Sequence, residues 1–131
     1  MSFPTQYIWN KYGKEGGYWL PVALYATYSA SATLGPYSVL FTPQEVFDVV
    51  LTVHSASGTS PTLTVNLVYY DMYPYQAGYQ TSSSITLFSN LSSAGVYTYS
   101  AGNTPYTVIQ FNLSLGGTSP SFTISLSVYM R

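Results

Sequence analysis

The stretch SGTSPTLTVNLVYY at residues 57–70 returns 59 positions later as GGTSPSFTISLSVY at residues 116–129. In the first copy Leu63, Val65 and Leu67 fall on one side of an extended chain, while Thr62, Thr64 and Asn66 fall on the other. In the second, Phe122, Ile124, Leu126 and Val128 alternate with Ser121, Thr123, Ser125 and Ser127. Each copy therefore carries one apolar face and one polar, mostly hydroxyl face, the pattern of a half-buried strand. The Gly-Thr-Ser-Pro ahead of each strand supplies a residue tolerant of positive φ, two hydroxyls for turn backbone groups, and a proline that opens a strand without having to donate. Both units read as the turn and return strand of a hairpin, with residues 46–54 and 106–115 as the outgoing partners. Two such hairpins facing each other make a sandwich core, to which Leu63, Val65, Leu67, Phe122, Ile124 and Leu126 contribute.

Working outward, period-two alternation recurs between clusters of Gly, Pro, Ser and Asn. It predicts strands at residues 20–28, 37–41, 46–54, 62–70, 84–88, 95–99, 106–115 and 122–129, eight in all. No segment sustains a 3.6-residue apolar period, so helix is confined to single turns. Thr42-Pro43-Gln44-Glu45 fits either a capping box with proline at the first helical position or a plain loop. The expected fold class is all-β, an antiparallel sandwich resembling a single jelly roll, over residues 20–131. Residues 1–19 form an aromatic arm that holds Trp9, Tyr12 and Trp19 and shows no alternation. Rings of that size are costly to leave in water, so the arm is expected to pack on its own sandwich or on a neighbour.

At 131 residues the chain is one domain, long enough to bury about two thirds of the surface its unfolded form exposes. It has no cysteine, and charged residues make up 5% against about 25% in an average soluble protein. Aromatics reach 18%, with 15 tyrosines, and no charged residue lies between Asp71 and Arg131. A chain so rich in aromatic and β-branched residues folds rather than staying disordered. Its start, MSFPTQYIWNKYGKEGGYW, has neither a basic leader nor an apolar core segment, and no apolar run approaches a membrane span. The expectation is a protein made in the cytoplasm with no membrane partner.

The inventory argues against catalysis. There is one histidine, His54, which ends a strand and shares its outer face with Thr52, and no carboxylate is identifiable as its partner. Glu45 and Asp48 sit near a strand start, and Asp71 before Met-Tyr-Pro is a natural turn residue. A zinc site lacks its Cys and His cluster, and a calcium site its clustered carboxylates, so no cofactor or metal is expected. Three basic residues, two of them in a glycine-rich arm, make no phosphate-binding patch, and GKEGG is no Walker loop. Nucleic acid is therefore not an expected partner. Tyr73, Tyr75 and Tyr79 cluster in YYDMYPYQAGYQ, where flat rings could stack on a glycan or cover a subunit contact; with tyrosine abundant throughout, the contact reading ranks first. Asn90-Leu91-Ser92 and Asn112-Leu113-Ser114 match the glycan-acceptor pattern, which matters only for an exported chain.

In SGTSPTLTV, AGVYTYS and GGTSPSFTISLSV the chain resembles small structural proteins of tailed-phage-like and archaeal virus particles, over roughly residues 46–129. The resemblance implies a capsid, minor shell or decoration subunit without catalytic residues, located in the virion, whose partners are copies of itself and other virion proteins. Trp9, Tyr12, Trp19, Tyr73, Tyr75 and Tyr79 are the expected subunit contacts. A net charge near zero fits that role, because it removes the self-repulsion that keeps free monomers apart. Two alternatives stand beside it: an extracellular filament or adhesion subunit that assembles by strand addition, and a carbohydrate-binding sandwich module.

Acid provides the first test. Carboxylates held in ion pairs have depressed folded pKa values, so their stabilisation is lost as pH falls. The chain has only four Asp and Glu residues. The melting temperature should therefore change little from neutral pH to about pH 2. Thermal melts across that range check it, and steep acid destabilisation would contradict it.

Overall fold

The structure, a computed structural model, describes residues 18–38, 46–72, 80–101 and 108–131. Six strands fill them: β1 (Tyr18–Tyr28), β2 (Ala32–Ser38), β3 (Phe47–Met72), β4 (Gln80–Leu91), β5 (Gly95–Ala101) and β6 (Val108–Met130). All pairings are antiparallel. Tyr18 and Trp19 belong to β1, opposite Met130 and Tyr129, so this strand starts two residues before the one expected at residues 20–28. Residues 1–17, the possible capping box and Tyr73, Tyr75 and Tyr79 lie outside the described residues.

Among the described residues the strand count is six rather than the expected eight, because the two Gly-Thr-Ser-Pro units are not hairpin turns. The segments before and after each unit do not pair with one another. Instead β3 and β6 continue through their units and pair with each other on both sides of them, from Phe47 opposite Met130 to Tyr70 opposite Val108. The register shifts between Val53 and Ser55, between Ser57 and Thr59, and between Thr59 and Thr62, which is where both strands bend. The local conformation repeats with the sequence: Gly58 and Gly117 have φ of 116° and 99°, and Ser60 and Ser119 have φ of 50° and 49°.

This arrangement answers why the motif occurs twice: each copy packs on the other. A Cβ on Gly58 would lie 2.6 Å from the Ser119 carbonyl oxygen and 2.9 Å from that of Thr118. A Cβ on Gly117 would in turn strike the carbonyl oxygens of Ser60 and Thr59. Glycine is required at both positions by its dihedral and by the approach of backbone to backbone.

The bends divide the sheet into two halves. In one, β1 pairs with residues 122–130 of β6, which pair with residues 47–56 of β3, which pair with β5. In the other, β2 pairs with residues 108–113 of β6, then residues 63–72 of β3, then β4. Phe47, Val49, Leu51 and Val53 of the first half and Leu63, Val65 and Leu67 of the second form one buried cluster with Ile109, Phe111, Leu113, Phe122, Ile124, Leu126 and Val128. None of these is more than 2% exposed, so the apolar face of each half is covered by the other. All six residues assigned to a shared core from alternation are in it. Aromatic side chains close the seam between the halves: the rings of Phe88 on β4 and Tyr97 on β5 lie 6.2 Å apart. Burial pushes the Tyr28 phenol above its ordinary pKa, and neighbouring Tyr37 of β2 adds to the shift.

Substitution at the bends tests this account. Gly58→Ala should destabilise the fold by about 3 to 5 kcal/mol, through both the dihedral and the clash with backbone. Gly116→Ala meets mainly the Thr62 hydroxyl, which can rotate away, and should cost about 1 kcal/mol. Denaturant midpoints of the two variants give the comparison, and equal losses would contradict the crossing-bend account.

Candidate functional site

The outer face of the first half is the described surface with the densest side-chain chemistry. Strand β6 lies at its centre and presents Thr123, Ser125, Ser127 and Tyr129, because its even-numbered neighbours are committed to the core. Flanking rows come from the register. Trp19 lies opposite Tyr129, which lies opposite Asp48, which lies opposite Ser100. Further along, Thr52 lies between Ser125 and Val96.

Two irregularities converge on Ser125. The β1 register shifts on both sides of Ala23, and Tyr25 takes a left-handed φ of 47°, which turns its N–H toward β6. That N–H donates to Ser125 Oγ at 3.0 Å. On the other side, the β3 register slips between Val53 and Ser55 and brings His54 Nε2 within 2.8 Å of the same oxygen. The Tyr25 ring stacks on the imidazole, with centroids 3.9 Å apart and planes 13° apart. One turn of the pleat away, the Thr27 and Thr123 hydroxyls bond at 2.8 Å. At the far end of β1 the Trp19 and Tyr129 rings meet at 4.9 Å, tilted by 47°.

A serine hydroxyl on an imidazole is the first half of a nucleophile and base pair. Here Ser125 also accepts a main-chain N–H, and the tyrosine ring covers one face of the imidazole. Among the described residues no carboxylate partners His54, and no three His, Cys, Asp or Glu residues gather as metal ligands. What the arrangement does is tie three strands together without an ion pair. Alternation placed His54 on the outer face with Thr52, as found, but Ser125 and Tyr25 were not legible as its partners. The signal that could have found Ser125 is the pairing of the two echoed segments with each other.

Of the expected subunit contacts, Trp19 is described, with 52% of its surface exposed on this face. Trp9, Tyr12, Tyr73, Tyr75 and Tyr79 lie outside the described residues. Other large apolar side chains left in solvent are Leu24, Tyr25 and Val96, at 74%, 67% and 66%. Of the two glycan-acceptor asparagines, Asn90 is exposed with φ of 54°, while Asn112 is half-buried in β6 and accepts from Gln110 Nε2 at 3.2 Å. Among the described residues no helix is long and apolar enough to cross a membrane.

No protein-family model matches the chain, and no curated protein matches it. Solved structures do share its shape. The chain superposes on VP2 of infectious bursal disease virus, in the form of a subviral particle, with a TM-score of 0.55 and 12% identity. That match covers 86% of this chain and 31% of the other, so this chain spans about a third of that protein's length. A Clostridium thermocellum endo-1,4-beta-D-xylanase 10B fragment with a carbohydrate-binding module gives 0.48 at 9% identity, over 86% of this chain and 28% of that one. A carbohydrate-binding module from a family 9 glycoside hydrolase of Ruminococcus flavefaciens gives 0.44 at 9% identity, over 88% and 98%. At such identities the VP2 likeness speaks for shared fold alone, and the two modules superpose more loosely still.

Removing the Ser125 hydroxyl leaves the Tyr25 N–H and His54 Nε2 without their partner. Ser125→Ala should therefore cost about 1 to 2 kcal/mol in urea unfolding, whereas Ser127→Ala on the same face should stay within about 0.5 kcal/mol of the parent. Equal effects would show that the three-strand tie contributes nothing.

Proposed function

We propose that the chain is a structural subunit that packs with copies of itself in a virus shell, as a coat or decoration protein of the virion. The observation that carries this reading is the sparsely charged surface, where Asp48 and Arg131 are the described exceptions on β3 and at the chain end. Strands β5 and β6 and the described part of β4 offer solvent no ionic group, while Trp19, Leu24, Tyr25 and Val96 stay exposed. A free monomer with that surface has little to keep copies apart, and a lattice subunit gains by it.

The strand order supports the reading. If each bent strand is counted as two, the halves run β1, late β6, early β3, β5 and β2, early β6, late β3, β4. That order supports a single jelly-roll reading, an architecture used by capsids and also by lectins. The superposition on VP2 of a subviral particle agrees with it. Fold alone licenses no role, so the surface carries the weight. On this reading the protein has no catalytic function, its partners are other copies and other shell proteins, and its location is the particle.

Purified protein examined by light scattering and negative-stain microscopy over a range of concentrations should form discrete particles of uniform size. Because few charges are present to be screened, assembly should persist from about 0.05 M to 1 M salt. A monomer at every concentration would overturn the proposal. Open filaments would point to a filament subunit, and retention of a monomer on immobilised glycans to a sugar-binding module.

A further inference from the structure

Among the described residues four strands form the margins of the two halves: β1 and β5 in one, β2 and β4 in the other. A margin exposes unpaired N–H and C=O groups, and proteins blunt such edges with proline, bulges or charge. Three of these margins are blunted. Strand β1 has Pro21, register shifts on both sides of Ala23, and Tyr25 in the left-handed region. Strand β2 has Pro36 and a register shift between Leu34 and Tyr37. Strand β4 carries two register shifts in its second half and Asn90 in the left-handed region. Its regular part, QTSSSIT at residues 80–86, holds a single apolar residue, Ile85.

Strand β5 has none of these devices. Its seven residues, GVYTYSA, pair with β3 without a single shift, from Gly95 opposite Val53 to Ala101 opposite Phe47. It contains no proline and no charge, and its interior of Val96, Tyr97, Thr98 and Tyr99 consists of strong strand formers. Among the described residues its only strand partner is β3.

We propose that β5 docks on β5 of a second copy of this chain, antiparallel, about a two-fold axis through Thr98. The sequence of the strand is nearly the same read from either end about that residue. The axis sets Tyr97 opposite Tyr99 of the partner subunit, Val96 opposite Ser100 of the partner subunit, and Gly95 opposite Ala101 of the partner subunit. Because odd numbers meet odd numbers, the half-buried tyrosines of both copies stay on the core side, and Val96, Thr98 and Ser100 stay on the outer side. Every outward-pointing main-chain group of one strand then meets one of the other, whichever alternate set faces outward. No charge opposes the contact, and an isologous interface closes at two copies. The proposal rests on the shell-subunit reading and makes this dimer its building block.

The test is Thr98→Lys, which puts two like charges on the axis at an exposed outer position and leaves the core untouched. Sedimentation velocity should show dimers or larger species for the parent and monomers for the variant, with matching circular dichroism. Mixing Thr98→Lys with Thr98→Glu should restore a dimer containing one of each. A Thr98→Lys protein that still dimerises, or that forms shells like the parent, overturns the β5 pairing and leaves the subunit reading standing. Dimers that depend on Thr98 but never build particles support the pairing and overturn the shell reading.

Discussion

The fold depends on one close contact, the crossing of two bent backbones at Gly58 and Gly117. Each glycine lies against the carbonyl oxygens of the other strand's Thr and Ser, where a side chain has no room. The left-handed dihedrals at these glycines and at Ser60 and Ser119 let β3 and β6 turn together while keeping their ladder. Once the two strands bend as a pair, their apolar faces come together on the inside of the bend, and the remaining four strands attach to whichever half offers a free margin. The duplicated motif is thus a matched pair, and each copy is shaped by the other.

The second theme is the substitution of hydroxyls for charge. On the outer face of the first half, cross-strand contacts run through Thr27 with Thr123, through Ser125 with His54 and the Tyr25 main chain, and through Trp19 with Tyr129. These are short-range interactions that salt does not screen, unlike surface ion pairs. The same choice leaves this face with little of the charge repulsion that normally disperses proteins.

Much of the core was legible in the sequence. Alternation over residues 62–67 and 121–128 assigned inward and outward faces, and burial follows that assignment residue by residue. Connectivity was less legible, because Gly-Thr-Ser-Pro has the composition of a hairpin turn. Only the long-range register between the two copies distinguishes a turn from a bend. Strand β2 starts earlier than expected, at Ala32 rather than at residue 37, because Gly35-Pro36 reads as a breaker; residues 39–41 of the expected strand lie outside the described residues. It forms a strand anyway, since a margin tolerates proline and a register shift absorbs the distortion. The partners of His54 come from β1 and β6, far along the chain, and both are placed by bulges that no local pattern announces.

The bent strands also decide how the molecule can come apart. Most sandwiches are two sheets joined by loops, so the layers can slide or peel at the cost of their interface. Here the covalent chain of β3, and again that of β6, passes from one layer into the other, with Thr59 still paired to Thr118 at the bend. Tension applied to either layer is carried along two paired backbones into its counterpart. Neither layer can open as a separate unit without breaking the ladder at the bends, and unfolding is confined to fraying at the margins or to loss of the whole.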